Sequence, residues 1–519
     1  MEALDSLLVG FSHALTPTNL LWALIGVVLG TAVGVLPGLG SAMAVALLLP
    51  VTFQLDPTGA FIMFAGVYYG GLFGDSTTSI LINTPGNSSA IATAIEGYKM
   101  SLRGRAPQAL ATSAIGAFLG AIISTALIAF FTPTIIEVAL QFGPAEYFAL
   151  AMFAFLATSA VVSTSLIRGL VSLAIGLTIA MVGIDQQSGA ERFTLGIPEL
   201  FEGISVVTVT VGLLAFGEVL HVAARIHRDP ARKDTVRGTG RPWLSRADVR
   251  RTFPAWLRGA GFGIPFGVIP VGGSEIPTFL AYGNEKRMAK RRAARKGTPD
   301  EFGSGAIEGV AAPEAAASAT AGTAMGALLG LGLPTSATAA IMLAAFQQYG
   351  MQPGPLLFER NGELVWALLA SLFIGSVMLL ILNLPFAPLW AKLLLIPKNY
   401  LYAGITVFAA LGVYAASSSV ADLVLLLLLG LLGLMMRRYE IPLAPVLIAV
   451  ILGPLAETNL RRALTENQGD PSVLVASGIS IGLYVVIVLA VGFMAVSRIR
   501  ERRMERRAAE APADAEPRG

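Results

Sequence analysis

Cysteine is absent from the 519-residue sequence, which excludes disulfides, thiolate metal sites and cysteine nucleophiles. The three histidines, His13, His221 and His227, form no pair at metal-ligand spacing, and we predict no cofactor. Charge is scarce as well, because Asp, Glu, Lys and Arg make up only 13% of the chain. Soluble globular domains contain about 25%. Hydrophobic residues make up 55% of the chain, and the mean hydropathy is +0.70. These values argue against an ordinary soluble enzyme and predict an all-α polytopic membrane protein.

The basic residues are distributed unevenly along the chain. Four segments, 99–105, 225–258, 285–297 and 498–518, hold 27 of the 36 Lys and Arg residues. Basic loops stay on the cytoplasmic side of a membrane, so we place all four segments there, together with the C-terminus. Because these clusters adjoin apolar segments, they do not indicate nucleic-acid binding.

The apolar segment 259–284 has basic clusters at both ends. It is too short for two crossings of about 20 residues each. We therefore predict a re-entrant hairpin that opens to the cytoplasm, with arms of about 11 residues that reach halfway through the bilayer. Its tip, Gly272–Ser274, ends a pattern G-V-[L/I]-P-x-x-G-S that also occurs 233 positions earlier, at Gly34–Ser41. That copy has no basic flank and is predicted to open outward.

A long apolar stretch with a polar, proline-containing break follows each hairpin. Pro85 lies in the break Asn83–Ser88 and Pro334 in the break Leu333–Ser336, 249 positions apart. The apolar segments together predict about 11 crossings plus two hairpins, with an odd number of crossings in each repeat, so the second repeat must be inverted. The predicted organisation is an N-terminal interfacial segment 1–19, a first inverted-topology repeat 20–224, a basic cytoplasmic loop 225–258, a second repeat 259–457, a final transmembrane helix 458–496 and a basic cytoplasmic tail 497–519. Segment 1–19 could equally be a helical lead-in to the first crossing.

Inverted repeats with interrupted helices are typical of secondary transporters, in which helix N-termini attract anions and unwound carbonyls coordinate Na⁺. Few Lys or Arg residues lie inside the predicted membrane segments. An anionic substrate is therefore expected to bind helix dipoles, amides and hydroxyls. The predicted substrate-binding residues lie in the two tips and the two breaks: Gly38, Gly40, Ser41, Asn83, Thr84, Gly86, Asn87, Ser88, Gly272, Gly273, Ser274, Pro334, Thr335 and Ser336.

Carboxylates inside a membrane segment are functional candidates by default. The predicted ion-coupling residues are Asp75, Ser76, Glu275 and Glu314. Structural alternatives stay open. The tip glycines need only permit tight turns, the first break could be a solvated loop end, Asp75 and Glu275 could bind backbone, and Glu314 could cap or pair. Glu96 and Glu308 are predicted to be structural.

Several long motifs occur in the two halves of the chain. The first half contains GVLPGLG at 34–40, Tyr68-Tyr69-Gly70-Gly71 and DSTTSILINTPG at 75–86. The second half contains GAIEGVAAPEAA at 305–316, LGLPTSAT at 331–338 and LGPLAE at 452–457. Together these motifs resemble the tripartite tricarboxylate transporter family, in particular its large membrane (permease) subunit, and the resemblance spans residues 20–490. This sequence departs from the family pattern at Asp75, where a small residue is expected, and at Thr335, where glycine is expected.

The resemblance implies an importer of di- or tricarboxylates in the bacterial inner membrane, driven by cation symport. It also implies two partners, a periplasmic substrate-binding protein and a small membrane subunit. We expect Na⁺ as the coupling ion, bound by carbonyls and hydroxyls at the breaks, with H⁺ as the alternative. The other function classes are a stand-alone ion-coupled anion transporter or channel without a binding protein, and an intramembrane hydrolase. The hydrolase is disfavoured because no histidine lies in a predicted membrane interior and Asp75 has no evident Asp partner.

Overall fold

The computed structural model describes residues 2–36, 40–52, 55–84, 87–161, 165–185, 188–224, 243–269, 273–297, 299–393, 396–489 and 492. Within these residues the protein is helical, apart from one antiparallel pair of two-residue strands. The predicted all-α class is confirmed. The predicted tip residues Gly38 and Gly272, the break residue Gly86, most of the basic loop and the whole tail 497–519 lie outside the described residues.

The first half of the chain contains ten α-helices. A 3₁₀ turn, Ser88–Ala90, leads into α5, and a second, Pro198–Leu200, follows the strands. A π-helical turn, Val211–Phe216, separates α9 from α10. The elements are α1 (Glu2–Ala14), α2 (Pro17–Gly34), α3 (Ser41–Thr52), α4 (Pro57–Ile82), α5 (Ile91–Leu102), α6 (Ala106–Ala139), α7 (Pro144–Val161), α8 (Leu166–Ala180), β1 (Gly183–Ile184), β2 (Glu191–Arg192), α9 (Val206–Thr210) and α10 (Gly217–Ala223).

The second half contains nine helices and a 3₁₀ turn, Pro471–Val475, before the last of them. The helices are α11 (Arg246–Val268), α12 (Glu275–Lys296), α13 (Glu308–Leu331), α14 (Ala337–Gln348), α15 (Pro355–Leu393), α16 (Lys398–Ser417), α17 (Val420–Arg438), α18 (Ala444–Glu466) and α19 (Gly478–Leu489).

Seven of the described helical segments are long and apolar enough to cross a membrane, and several shorter apolar helices accompany them. A multi-pass membrane protein is therefore confirmed, whereas the count of about 11 crossings stays a prediction. The final transmembrane helix, predicted within 458–496, corresponds in the described residues to the shorter helix α19. The seven are Pro17–Gly34, Ala106–Ala139, Val206–Ala223, Pro355–Phe386, Tyr400–Ser417, Val420–Arg438 and Ala444–Glu466.

The predicted arm length of the second hairpin is wrong. Its two helices, α11 and α12, contain 23 and 22 residues instead of about 11, and at about 1.5 Å per residue each is roughly 33 Å long. Helix α11 begins at Arg246, inside the predicted basic loop. Ser245 and Asp248 form a capping box at its N-terminus, which starts the helix despite the surrounding positive charge. Basic residues indicate the side of the membrane, and they do not prevent a helix.

Close packing of α2 on α4 is repeated by α11 on α13. A Cβ atom on Gly30 would lie 2.5 Å from the carbonyl oxygen of Val67, and one on Gly263 would lie 2.2 Å from that of Ala316. The two glycines are 233 positions apart in the sequence, which is also the separation of the two predicted tips. The residues that provide the two carbonyls are 249 positions apart, which is the separation of the two breaks. The same relation joins two more pairs of contacts: Gly26–Met63 with Gly259–Ala312, and Gly34–Gly71 with Gly267–Thr320.

Helix α1 packs along α15. Gly10 lies against the backbone of Trp366, and the Phe11 and Phe373 rings are 5.9 Å apart. The hydroxyl of Thr16 then caps α2, with Pro17 in its first turn, which is a typical start of a helix.

Glu96, predicted to be structural, joins the two halves of the chain. Its fully buried carboxylate accepts the backbone N–H groups of Gly303, Gly305 and Ala306 at 2.6, 2.7 and 3.0 Å, and the hydroxyl of Tyr282 at 3.0 Å. Four donors satisfy a buried carboxylate without a cation. This contact fixes the C-terminal part of α5 against the glycine-rich loop before α13.

Candidate functional site

The first predicted break separates α4 from α5. Asn83 ends α4 in a left-handed conformation, with φ +55°, which asparagine tolerates better than most residues. The N–H of Asn87 then donates to the carboxylate of Asp75 at 2.8 Å. A Cβ atom on Gly40 would lie 2.3 Å from the Oδ1 atom of Asn87. Gly40, directly before α3, therefore touches the break, and the absence of a side chain at this position permits the close approach.

The second break has matching geometry. Gly332 ends α13 with φ +67°, 249 positions after Asn83. Ser336 caps α14 by accepting the Ala339 N–H at 3.2 Å, and it lies 249 positions after Asn87. Gly273 has φ +118°, which only glycine adopts readily, and a Cβ atom there would be 3.7 Å from the Ser336 Cβ. The tip between α11 and α12 thus lies beside the second break.

A hydrogen bond connects the first half of the chain with the start of α14. The hydroxyls of Ser41 and Thr338 are 3.0 Å apart and buried. Tyr68, which is buried in α4, lies near Ser336. The hydroxyl of Thr335 is buried and has no hydrogen-bond partner among the described residues. The same is true of the side-chain amide nitrogen of Asn87, Nδ2. We name the residues Gly40, Ser41, Asn87, Gly273, Thr335 and Ser336 the tip–break cluster.

A second group of polar residues surrounds Glu314 on α13. Its buried carboxylate accepts hydroxyl hydrogen bonds from three other helices: Ser76 on α4 at 2.7 and 2.8 Å, Thr93 on α5 at 2.5 Å and Ser113 on α6 at 2.8 Å. None of the ion pairs between described residues includes Glu314. Three hydroxyls therefore solvate this carboxylate in place of water or a basic side chain. We name Glu314, Ser76, Thr93 and Ser113 the Glu314 cluster.

The two groups are adjacent in the chain. Asp75 contacts the first break, and the next residue, Ser76, contacts Glu314. Thr93 belongs to α5, the helix that starts just after the same break. A displacement of α4 relative to α5 would therefore change both groups together.

The remaining predicted residues are distributed differently. Asn83 and Thr84 are exposed, and the Thr84 hydroxyl donates to the Ile82 carbonyl at 3.2 Å. Ser274 is the N-cap residue of α12 and Glu275 lies in its first turn, where a negative charge stabilises the helix N-terminus. Pro334 is buried and lies in the non-helical step before α14. Ser88 begins the 3₁₀ turn at the first break.

Sequence reasoning missed two members of the Glu314 cluster, Thr93 and Ser113, and two residues beside the tip–break cluster, Tyr68 and Thr338. A single Ser or Thr in an apolar helix usually bonds the carbonyl of the preceding turn, so the residue type carries little signal. The spacing offers one clue, because Thr338 lies 249 positions after Ser89, directly beyond the first break.

Comparisons with known proteins identify the family of the chain. The sequence profile of the tripartite tricarboxylate transporter TctA family matches residues 20–448. An uncharacterized 52.8 kDa protein in the TAR-I ttuC' 3'region of Agrobacterium vitis is 41% identical over 503 residues, covering 97% of this chain and 98% of that protein. An uncharacterized protein in the TAR-II ttuC' 3'region of the same organism is 38% identical over 237 residues, 46% of this chain and 95% of that protein. No solved structure matches the chain. The chain therefore belongs to the TctA family, the large membrane subunit of tripartite tricarboxylate transporters.

Proposed function

We propose that this chain forms the translocation pathway of a binding-protein-dependent secondary transporter, which imports a di- or tricarboxylate by Na⁺ symport with alternating access. Membership of the TctA family makes it a transporter component and not an enzyme. The observation that carries the finer proposal is the contact of each tip with a helix break, Gly40 with Asn87 and Gly273 with Ser336. Irregular backbone at membrane depth is tolerated where it lines a cavity or is buried in protein.

The proposed architecture is a pair of inverted-topology repeats, each with a re-entrant hairpin and a broken helix. Three observations support it: the paired glycine contacts of α2 with α4 and of α11 with α13, the paired left-handed helix ends at Asn83 and Gly332, and the paired tip contacts. In all three observations, the corresponding residues of the two halves are 233 or 249 positions apart. The positions of the basic clusters support a cytoplasmic C-terminus.

The tip–break cluster is suited to an anion. The N-terminus of α14 presents free N–H groups and a positive partial charge. The Thr335 hydroxyl and the side-chain amide nitrogen of Asn87 are donors without partners among the described residues. The helical start after the first break differs, because the Asp75 carboxylate already accepts the Asn87 N–H. A substrate carboxylate is therefore assigned to the α14 side of the cluster.

The partners follow from the family, which works as a tripartite system with a binding protein and a small membrane subunit. The binding protein would deliver the carboxylate to the outward-facing chain, and a cation would supply the driving force. The acidic candidates for the cation are Asp75, Glu275 and Glu314, and Glu314 accepts hydrogen bonds from three hydroxyls.

Uptake of radiolabelled citrate by proteoliposomes tests this proposal. Vesicles that contain this chain and the small subunit, supplied with the binding protein, are expected to take up citrate, and omission of any component is expected to abolish uptake. Asn87→Ala and Ser336→Ala should raise the half-saturating citrate concentration about ten- to a hundredfold, since a hydrogen bond to a charged group contributes about 1.5–3 kcal/mol. Arg503→Gln in the tail is the control. Full uptake without the binding protein would favour the stand-alone transporter or channel.

A further inference from the structure

The Glu314 cluster has the composition of a small-cation site. Two carboxylate oxygens and three hydroxyl oxygens converge from α4, α5, α6 and α13, and all four residues are buried. We propose that Glu314, Ser76, Thr93 and Ser113 bind Na⁺, and that this site is the one through which the cation acts on the carboxylate site. The second part of this inference rests on the proposed symport function, whereas the binding of Na⁺ does not.

Charge balance points to a monovalent cation. An ionised carboxylate in a low-dielectric interior is costly unless a counter-charge accompanies it. No ion pair of the described residues supplies one for Glu314. One carboxylate neutralises one Na⁺, whereas the described residues contain no group of three or more acidic or histidine side chains that would suit a divalent metal.

The hydroxyls can change from donors to the carboxylate into ligands of a cation. The Ser76 oxygen is 3.5 Å from the Leu72 carbonyl one turn earlier in α4, which is an alternative acceptor for its proton. When the hydroxyl proton turns to that carbonyl, its oxygen lone pairs face the space beside Glu314. Hard cations take oxygen ligands of this kind, from carboxylates, hydroxyls and carbonyls.

The Glu314 cluster includes residues of the two helices on either side of the first break. Na⁺ held between Ser76 and Thr93 would tie α4 to α5 on the two sides of the break. Asp75, which precedes Ser76, holds the Asn87 N–H in the tip–break cluster. Cation binding and carboxylate binding would thus prefer the same arrangement of α4 and α5, and each would strengthen the other by the same factor.

Binding of ²²Na⁺ to the purified full-length chain in detergent tests the site without substrate, binding protein or small subunit. The wild-type chain is expected to bind Na⁺ saturably, with displacement by unlabelled Na⁺ and not by equimolar K⁺. Thr93→Val keeps the shape of the side chain and removes its hydroxyl, and Ser113→Ala removes a second of the three hydroxyls. Each is expected to raise the half-saturating Na⁺ concentration about tenfold, as for the loss of one bond to a charged group.

Two carboxylate variants complete the test. Glu314→Gln is expected to abolish saturable binding. Glu146→Gln is the matched control, because Glu146 is also buried and accepts a backbone N–H from Gly143, and it should bind like the wild-type chain. If Glu314→Gln does not fold, the two hydroxyl variants decide the question, since they retain the carboxylate.

Absence of saturable Na⁺ binding by the wild-type chain would overturn the proposal, as would unchanged Na⁺ affinity in both hydroxyl variants or in folded Glu314→Gln. The cluster would be assigned to a proton instead if acidification, and not Na⁺, raised the stability of the wild-type chain. In that case Glu314→Gln should lose the effect of acid. Because the assay contains no carboxylate, such results leave carboxylate import untouched. Import would fail separately, in the citrate uptake assay.

Discussion

Replacing Gly263 with alanine is expected to destabilise the protein, whereas the same change at Gly261 is not. Both glycines lie in the interior of α11. A Cβ atom on Gly263 would be 2.2 Å from the carbonyl oxygen of Ala316 and 2.9 Å from the Cβ of Ala319, whereas one on Gly261 would meet nothing within 4 Å. The nearest atom to Gly263 belongs to the α13 backbone, so it cannot move aside as a flexible side chain would.

The size of the effect follows from two opposing contributions. Alanine is favoured over glycine in a helix by about 1 kcal/mol, and both variants gain this. Overpacking typically costs about 1–3 kcal/mol, and only Gly263→Ala incurs this cost. Gly263→Ala is therefore expected to be about 1–3 kcal/mol less stable than Gly261→Ala. Gly30→Ala should behave like Gly263→Ala, because its Cβ would lie 2.5 Å from the Val67 carbonyl oxygen.

Thermal unfolding of the purified variants in detergent, followed by tryptophan fluorescence, measures this difference. All variants should be heated at one scan rate, because irreversible unfolding makes the apparent Tm depend on that rate. The reasoning would be refuted if Gly263→Ala unfolded at or above the temperature of Gly261→Ala. A large effect at Gly263 with none at Gly30 would contradict the equivalence of the two helix pairs.

Three further outcomes are expected. Asp75→Ser frees the Asn87 N–H and removes a negative charge from the first break. Relative to succinate, citrate should therefore inhibit uptake about tenfold better than it does in the wild-type protein. The ratio of the half-inhibitory concentrations of the two compounds measures this change. Glu96→Ala leaves several buried N–H groups unpaired and is expected to cost about 3 kcal/mol or more, visible as a lower Tm, with Glu96→Gln intermediate. Single cysteines at Trp243 and Lys290 should both be labelled from the cytoplasmic side only, and labelling of either from outside would contradict the predicted topology.

The sequence predicted the tip–break cluster because its signals are backbone signals. Glycine, proline and asparagine mark places where a helix cannot continue, and they recur at constant offsets in the two halves of the chain. Gly40 lies against Asn87 and Gly273 lies beside Ser336, and the two pairs are related by the same offsets. The predicted depth of these residues in the membrane stays a prediction.

The Glu314 cluster could be predicted only in part. Glu314 and Ser76 were candidates as intramembrane polar residues, but nothing in the sequence joins them to Thr93 and Ser113, because the contacts connect helices far apart in the chain. The arm length of α11 was predicted wrongly for a different reason. The charges of Arg246–Arg258 suggested a loop, whereas helix capping and contact with α13 extend the helix through them.

The most direct test of the account is whether citrate accumulates against its gradient. Proteoliposomes with this chain, the small subunit and the binding protein, held at zero membrane potential with an inward Na⁺ gradient, should accumulate labelled citrate transiently above its external concentration. The accumulation should vanish when K⁺ replaces Na⁺. Uptake that only reaches the external concentration would indicate a channel, and accumulation that persists without Na⁺ would contradict Na⁺ symport.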